Sequence, residues 1–202
     1  FSEYLFSHSG IGWMRIGSNL NFWTFKHGLV SEYALSFNFV VSHTDTMYFS
    51  FLYPYTYTDL QNYLNFNLST NDCYLLKHSL LCKSPGGVDV PAIFWDADQK
   101  RCIDVSKILQ NISSLPNVMP SKRSFNKGKP LIVIAARLHP GESNSSYAME
   151  GFMRFLNNPT NESRSLMDNF SILMLPMINP DGVICGYYRP SISGEDVNRV
   201  WI

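Results

Sequence analysis

Residues 131–136 form a short, almost wholly apolar run rich in β-branched side chains, and the run ends in the turn Arg137-Leu138-His139-Pro140-Gly141-Glu142. Such a run reads as a strand covered on both faces of a sheet. Ser143 or Asn144 then offers a helix cap, and Tyr147, Ala148, Met149, Phe152, Phe155 and Leu156 follow helical spacing. A shorter helix is expected around residues 162–168, and residues 170–175 repeat the buried-strand pattern. Strand, helix, strand in that order implies an α/β sheet with a crossover between parallel or mixed strands. Ligand sites in such sheets gather at the carboxyl ends of strands, which is where His139 and Glu142 fall. A neutral imidazole and a carboxylate are both good zinc donors. Two such residues three apart are also common, and a loop histidine beside an acid at a helix N-terminus needs no metal to explain it.

The upstream part of the chain carries a different pattern. Tyr33, Leu35, Phe37, Phe39 and Val41 alternate with smaller or polar residues, and Met47, Phe49, Phe51 and Tyr53 resume the alternation after the polar turn Ser42-His43-Thr44-Asp45. The two stretches are expected to pair as an antiparallel hairpin. Ser84-Pro85-Gly86-Gly87 separates residues 75–83 from 88–95 and predicts a second hairpin. Helix is scarce here, with residues 58–64 the best short candidate. Several short strands between turn signals suggest an antiparallel β-sandwich over residues 1–118. Pro116, Pro120 and the polar run 121–129 mark the expected boundary, with an α/β domain over 119–202.

A composition that is 45% hydrophobic, with 16 basic and 16 acidic residues in 202, describes a soluble globular protein. The zero formal charge argues against a nucleic-acid partner, because phosphate neutralisation needs Lys and Arg in excess. Polar residues interrupt every apolar stretch before the roughly 18 to 20 needed to span a bilayer, and Phe1-Ser2-Glu3 lacks a basic leader. Neither a membrane nor an export signal is expected. Cys73, Cys82, Cys102 and Cys185 show neither metal nor scaffold spacing and read as free thiols in a reducing compartment. The start at Phe1 and the finish at Val200-Trp201-Ile202, in what reads as a running motif, suggest a piece of a longer chain.

Asn179-Pro180-Asp181-Gly182 has strong turn chemistry. Beyond it lie Arg189 and Asp196-Val197-Asn198-Arg199, whose two guanidiniums suit a substrate carboxylate or an oxyanion, or else a solvated surface. Taken in order, Ala136-Arg137-Leu138-His139-Pro140-Gly141-Glu142, Pro176-Met177-Ile178-Asn179-Pro180-Asp181-Gly182 and Asp196-Val197-Asn198-Arg199 resemble successive signatures of the cytosolic carboxypeptidases, a branch of the M14 zinc metallocarboxypeptidases. Gly12-Trp13-Met14-Arg15-Ile16-Gly17 and Tyr53-Pro54-Tyr55-Thr56-Tyr57-Thr58 resemble motifs of the β-sandwich that precedes the catalytic domain in that branch.

The resemblance implies an N-terminal antiparallel β-sandwich followed by the first part of an M14 α/β domain with a mixed sheet. It implies one zinc ion per site, with His139 and Glu142 as ligands, Arg189 as the oxyanion-stabilising residue, and Asn198 with Arg199 gripping the substrate's terminal carboxylate. It further implies protein or peptide C-termini as substrates, glutamate-rich tubulin tails among them, and a cytoplasmic, cytoskeleton-associated location. The family's third zinc ligand and its catalytic glutamate lie downstream of the Asn-Arg motif, while His8, His27, His43 and His78 sit in the first region and read as solvated or strand-face residues. The 202-residue polypeptide by itself is therefore expected to be inactive, with an open sheet edge. Two other readings are a zinc acylase of the aspartoacylase or succinylglutamate desuccinylase type and a catalytically silent module that binds microtubules or another partner.

Overall fold

The structure, a computed structural model, describes residues 4–7, 12–41, 46–68, 76–95, 129–158 and 160–200, which fall into two compact units, Phe1–Pro54 and Tyr55–Ile202. The first unit contains β1 (Tyr4–Ser7), β2 (Met14–Ile16), β3 (Ser18–His27), β4 (Val30–Asn38) and β5 (Tyr48–Ser50). These make two antiparallel sheets, one in the order β2-β1-β5 and one of β3 with β4. The hairpin expected between residues 33–41 and 47–53 is not the observed pairing. β4 pairs with β3, and β5 pairs with β1. A two-residue connection explains the choice: His27 faces Val30, and Gly28 at φ 63° takes the left-handed turn position, so β3 and β4 close with almost no loop entropy. The alternation over 33–41 and 47–53 still reports a contact, because Phe39 packs edge-on to Phe49 at 4.9 Å and Phe37 lies 6.1 Å from the same ring.

The second unit contains α1 (Tyr57–Leu68), β6 (Leu76–Lys83), β7 (Asp89–Trp95), β8 (Leu131–Ala135), α2 (Asn144–Asn157), α3 (Asn161–Asn169), β9 (Ser171–Leu175) and α4 (Pro180–Cys185). Helix α1 begins in a reciprocal cap: the Thr56 hydroxyl accepts from Asp59 N at 3.1 Å and the Asp59 carboxylate accepts from Thr56 N at 2.7 Å. The second hairpin forms as its turn chemistry predicts, with Gly87 N donating to Ser84 O. One four-stranded sheet runs β6-β7-β9-β8, antiparallel across the first two junctions and parallel between β9 and β8. It is the mixed α/β sheet that the strand-helix-strand order implies.

This sheet places the β6–β7 hairpin differently from the expected 1–118 sandwich. Ile93, Phe94 and Trp95 pair along β9 with Met174, Leu173 and Ile172, so the hairpin is part of the α/β sheet, and the division between compact units follows Pro54. The reason is legible in β7 itself: every residue from Val90 to Trp95 is buried, as in a central strand covered on both faces. Pro116, Pro120 and residues 121–128, where composition marks a boundary, lie outside the described residues, as do Cys73, Cys102, His8 and His43.

One face of the sheet packs Ile93, Trp95, Ile172 and Met174 against Met149, Met153 and Leu156 of α2 and Leu60, Tyr63 and Leu64 of α1. The other face gathers Ala92, Phe94 and Leu173. Strand β8 is less covered than its sequence predicts, with Val133 54% exposed, because among the described residues its only sheet neighbour is β9. Cys82 and Cys185 are free thiols. No helix is long and apolar enough to cross a membrane among the described residues.

Candidate metal centre

The parallel strands β8 and β9 end side by side, and their pairing continues into the loops beyond. Ala136 N donates to Leu175 O, Ile178 N to Ala136 O, and Asn179 N to Arg137 O. The buried Asn179 side chain then joins two loops: Nδ2 donates to Leu138 O and Pro190 O, each at 3.3 Å, while Oδ1 accepts from Gly182 N at 3.1 Å and caps α4. Pro180 at the first helical position suits that start. Asn179-Pro180-Asp181-Gly182, expected as a tight turn, is instead the capped start of α4, and through Asn179 it ties the loop bearing Arg189 to the loop bearing His139.

His139 is 8% exposed, and both ring nitrogens are engaged. Nδ1 lies 3.0 Å from Glu142 Oε1, and Nε2 lies 3.0 Å from Asp196 Oδ1. Asp196 is the hub of the site. Its Oδ1 also accepts from Asn198 N at 2.9 Å, and its Oδ2 accepts from Arg189 Nε at 2.7 Å. Partial burial works against the Asp196 charge. The Asn198 N–H, the His139 ring and the Arg189 guanidinium outweigh it and hold the carboxyl below the usual carboxylate range. An ionised Asp196 favours the His139 tautomer with its proton on Nε2. The Nδ1 lone pair then points at the Glu142 carboxylate from 3.0 Å, an arrangement that needs a proton or a cation between the two atoms.

A metal ion can be that cation. An imidazole whose far nitrogen donates to a carboxylate is the usual orientation of a zinc-bound histidine. His139 and Glu142 therefore fit zinc as two of its donors; among the described residues no group of three His, Cys, Asp or Glu side chains is gathered to hold a metal. Of the other expected site residues, Arg189 is drawn in through Asp196, Asn198 contributes its backbone N–H to the same carboxylate, and Arg199 is exposed with Nη1 donating to Asn198 O at 3.1 Å. Sequence reasoning passed over Asp196. The available signal was the need of any ligand histidine for a second carboxylate, together with the short distance from Asp196 to Asn198 in the chain.

A strand-end imidazole and carboxylate on a mixed α/β sheet, with the ring held by a second carboxylate, define the class of arrangement that zinc hydrolases use. The chain belongs to the zinc carboxypeptidase family, whose profile matches residues 99–201. Among curated proteins it is 34% identical to cytosolic carboxypeptidase 3 of Bos taurus over 98% of this chain and 18% of that one. It is 35% identical to cytosolic carboxypeptidase 2 of Homo sapiens over 94% of this chain and 19% of that one. The chain thus spans about a fifth of the length of these relatives. Among solved structures, a metallo-carboxypeptidase from Burkholderia cenocepacia matches 99% of this chain and 44% of its own, with a TM-score of 0.66 at 19% identity. A metallo-carboxypeptidase from Pseudomonas aeruginosa, in complex with (2-guanidinoethylmercapto)succinic acid, matches 99% of this chain and 43% of its own, with a TM-score of 0.65 at 20% identity. At those identities the likeness is one of fold, and it bears out the mixed α/β architecture.

Proposed function

We propose that this protein is a zinc-dependent carboxypeptidase that removes C-terminal residues from proteins or peptides, with glutamate-rich tails such as those of polyglutamylated tubulin as its substrates. The observation that carries the reading is the facing of His139 Nδ1 and Glu142 Oε1 with Asp196 behind the ring. Zinc, when bound, supplies Lewis-acid polarisation of the scissile carbonyl and a lowered pKa for the attacking water. His139 and Glu142 hold it. Asp196 keeps the imidazole in the ligating tautomer. Arg189, steadied through its Nε, is the residue for the developing oxyanion, and Arg199 with Asn198 takes the substrate's terminal carboxylate through the fork geometry of a guanidinium.

The preference for glutamate and a cytoplasmic, cytoskeleton-associated place of action are supported by the motif resemblance to the cytosolic carboxypeptidases. No histidine follows His139 in the 202 residues, so a polypeptide of these residues alone is expected to bind zinc weakly and to be inactive. The test uses the complete natural polypeptide and a peptide ending in several glutamates, with release of free glutamate as the readout. Release should stop with a zinc chelator, return with zinc, and vanish for His139→Ala. Release that persists in a metal-free preparation would overturn the proposal.

A further inference from the structure

Arg137 has an unusual setting for a charged residue. It is 4% exposed and sits at φ 55°, in the left-handed region that non-glycine residues seldom enter. Glycine would occupy that conformation without strain, so the side chain must supply what glycine lacks. All three guanidinium nitrogens are engaged, and every acceptor is a neutral oxygen. Nε and Nη2 both donate to Pro140 O, at 3.0 and 2.8 Å, while Nη1 donates to Tyr55 O at 3.0 Å and to Ser146 Oγ at 2.9 Å. The guanidinium carbon lies 6.0 Å from the centre of the Tyr55 ring. Burial pulls the guanidinium pKa below its ordinary value, the mark of a cation held where it is costly.

What the cation holds is the peptide between the two metal donors. The carbonyl of Pro140 is gripped by Arg137, and the N–H of the same peptide, on Gly141, donates to Tyr188 O at 2.8 Å. The Pro140–Gly141 plane is pinned at both ends. His139 leaves one side of it and Glu142 follows on the other, so the direction in which each donor points is set by that plane.

Resting on the zinc reading above, we propose that Arg137 is the positioning residue of the metal-binding turn: it touches neither metal nor substrate, and by clamping the Pro140 carbonyl it sets the approach of His139 Nδ1 to Glu142 Oε1. Lysine cannot replace it. A single ammonium lacks the planar fork that spans Pro140 O on one side and Tyr55 O with Ser146 Oγ on the other.

The test compares Arg137→Lys and Ser146→Ala with the parent in the complete natural polypeptide. Zinc affinity is read by competition with a chelator, ligand geometry by the visible spectrum of the cobalt-loaded protein, and folding by melting temperature with zinc removed. Arg137→Lys should lower zinc affinity by about 10- to 100-fold, shift the cobalt bands, and lower kcat with little change in KM. Ser146→Ala leaves Arg137 in place and removes one acceptor, and should weaken zinc by about 3-fold in the same direction. If Arg137→Lys fails to fold, Ser146→Ala decides. Unchanged affinity and an unchanged cobalt spectrum in a folded variant would overturn the proposal. The control is His139→Ala: if it retains parental zinc affinity, the zinc reading itself has failed, whereas its loss beside an unaffected Arg137→Lys refutes only the role of Arg137.

Discussion

The meeting of His139 with Glu142 was legible because everything that marks it is local: a strand, a Pro-Gly corner and a spacing of three. Replacing either by alanine should abolish stoichiometric zinc in the complete protein, as measured by elemental analysis. Asp196 was hidden because it meets His139 across 57 residues of chain, and no periodicity reports such a contact. Asp196→Asn keeps the shape but weakens the charge behind the ring. It should lower zinc affinity by about 10- to 100-fold while leaving the fold intact by circular dichroism. Gly141 carries a different constraint. A Cβ there would lie 2.9 Å from Tyr188 O and 2.9 Å from Cε2 of the Tyr188 ring, so the loop bearing Arg189 would have to move. Gly141→Ala should cost about 1–3 kcal/mol of stability, read from denaturant melts, with a parallel loss of zinc.

At the scale of elements, the helices and buried strands of the second unit follow closely from sequence, since α2, α3, β8 and β9 each carry a complete period in their own residues. Pairing was harder. Alternation identified the residues of β4 and β5 as strands but carried no information about partners, and a two-residue turn at Gly28 gave β4 to β3. The hairpin β6–β7 also has a tie that its turn residues alone do not announce. The buried Asp181 carboxylate of α4 accepts from Ser84 Oγ at 2.7 Å and from Gly86 N at 2.9 Å, binding the hairpin's tip to the helix beside the site. Gly86 is needed for it, because a Cβ would come within 2.5 Å of Asp181 Oδ1. Asp181→Ala leaves both donors without their acceptor and should destabilise the second unit by about 2–3 kcal/mol, a shift of several degrees in its melting temperature.

For the whole molecule, composition and patterning predict an antiparallel region to residue 118 followed by an α/β region, while the compact units divide after Pro54. Polar and proline-rich sequence near residue 118 shows where a linker is tolerated, whereas the extent of a unit is fixed by which strands share hydrogen bonds. Burial is uneven between the units: β7 and β9 are enclosed, while β3 is exposed along its length. Hydrogen exchange should therefore be slowest at the amides of β7 and β9 and fastest in β3 and β4. The clamp of Arg137 on the turn between His139 and Glu142 reaches far along the chain. Arg137 meets Tyr55 across 82 residues, a closure that entropy delays until the core between them has packed. The turn is then among the last parts to acquire its shape. Excess zinc should leave the refolding rate of the complete protein unchanged and slow only its unfolding, in stopped-flow traces with and without chelator. In that case the ion arrives at a finished fold and acts as its lock, with no part in guiding the chain there.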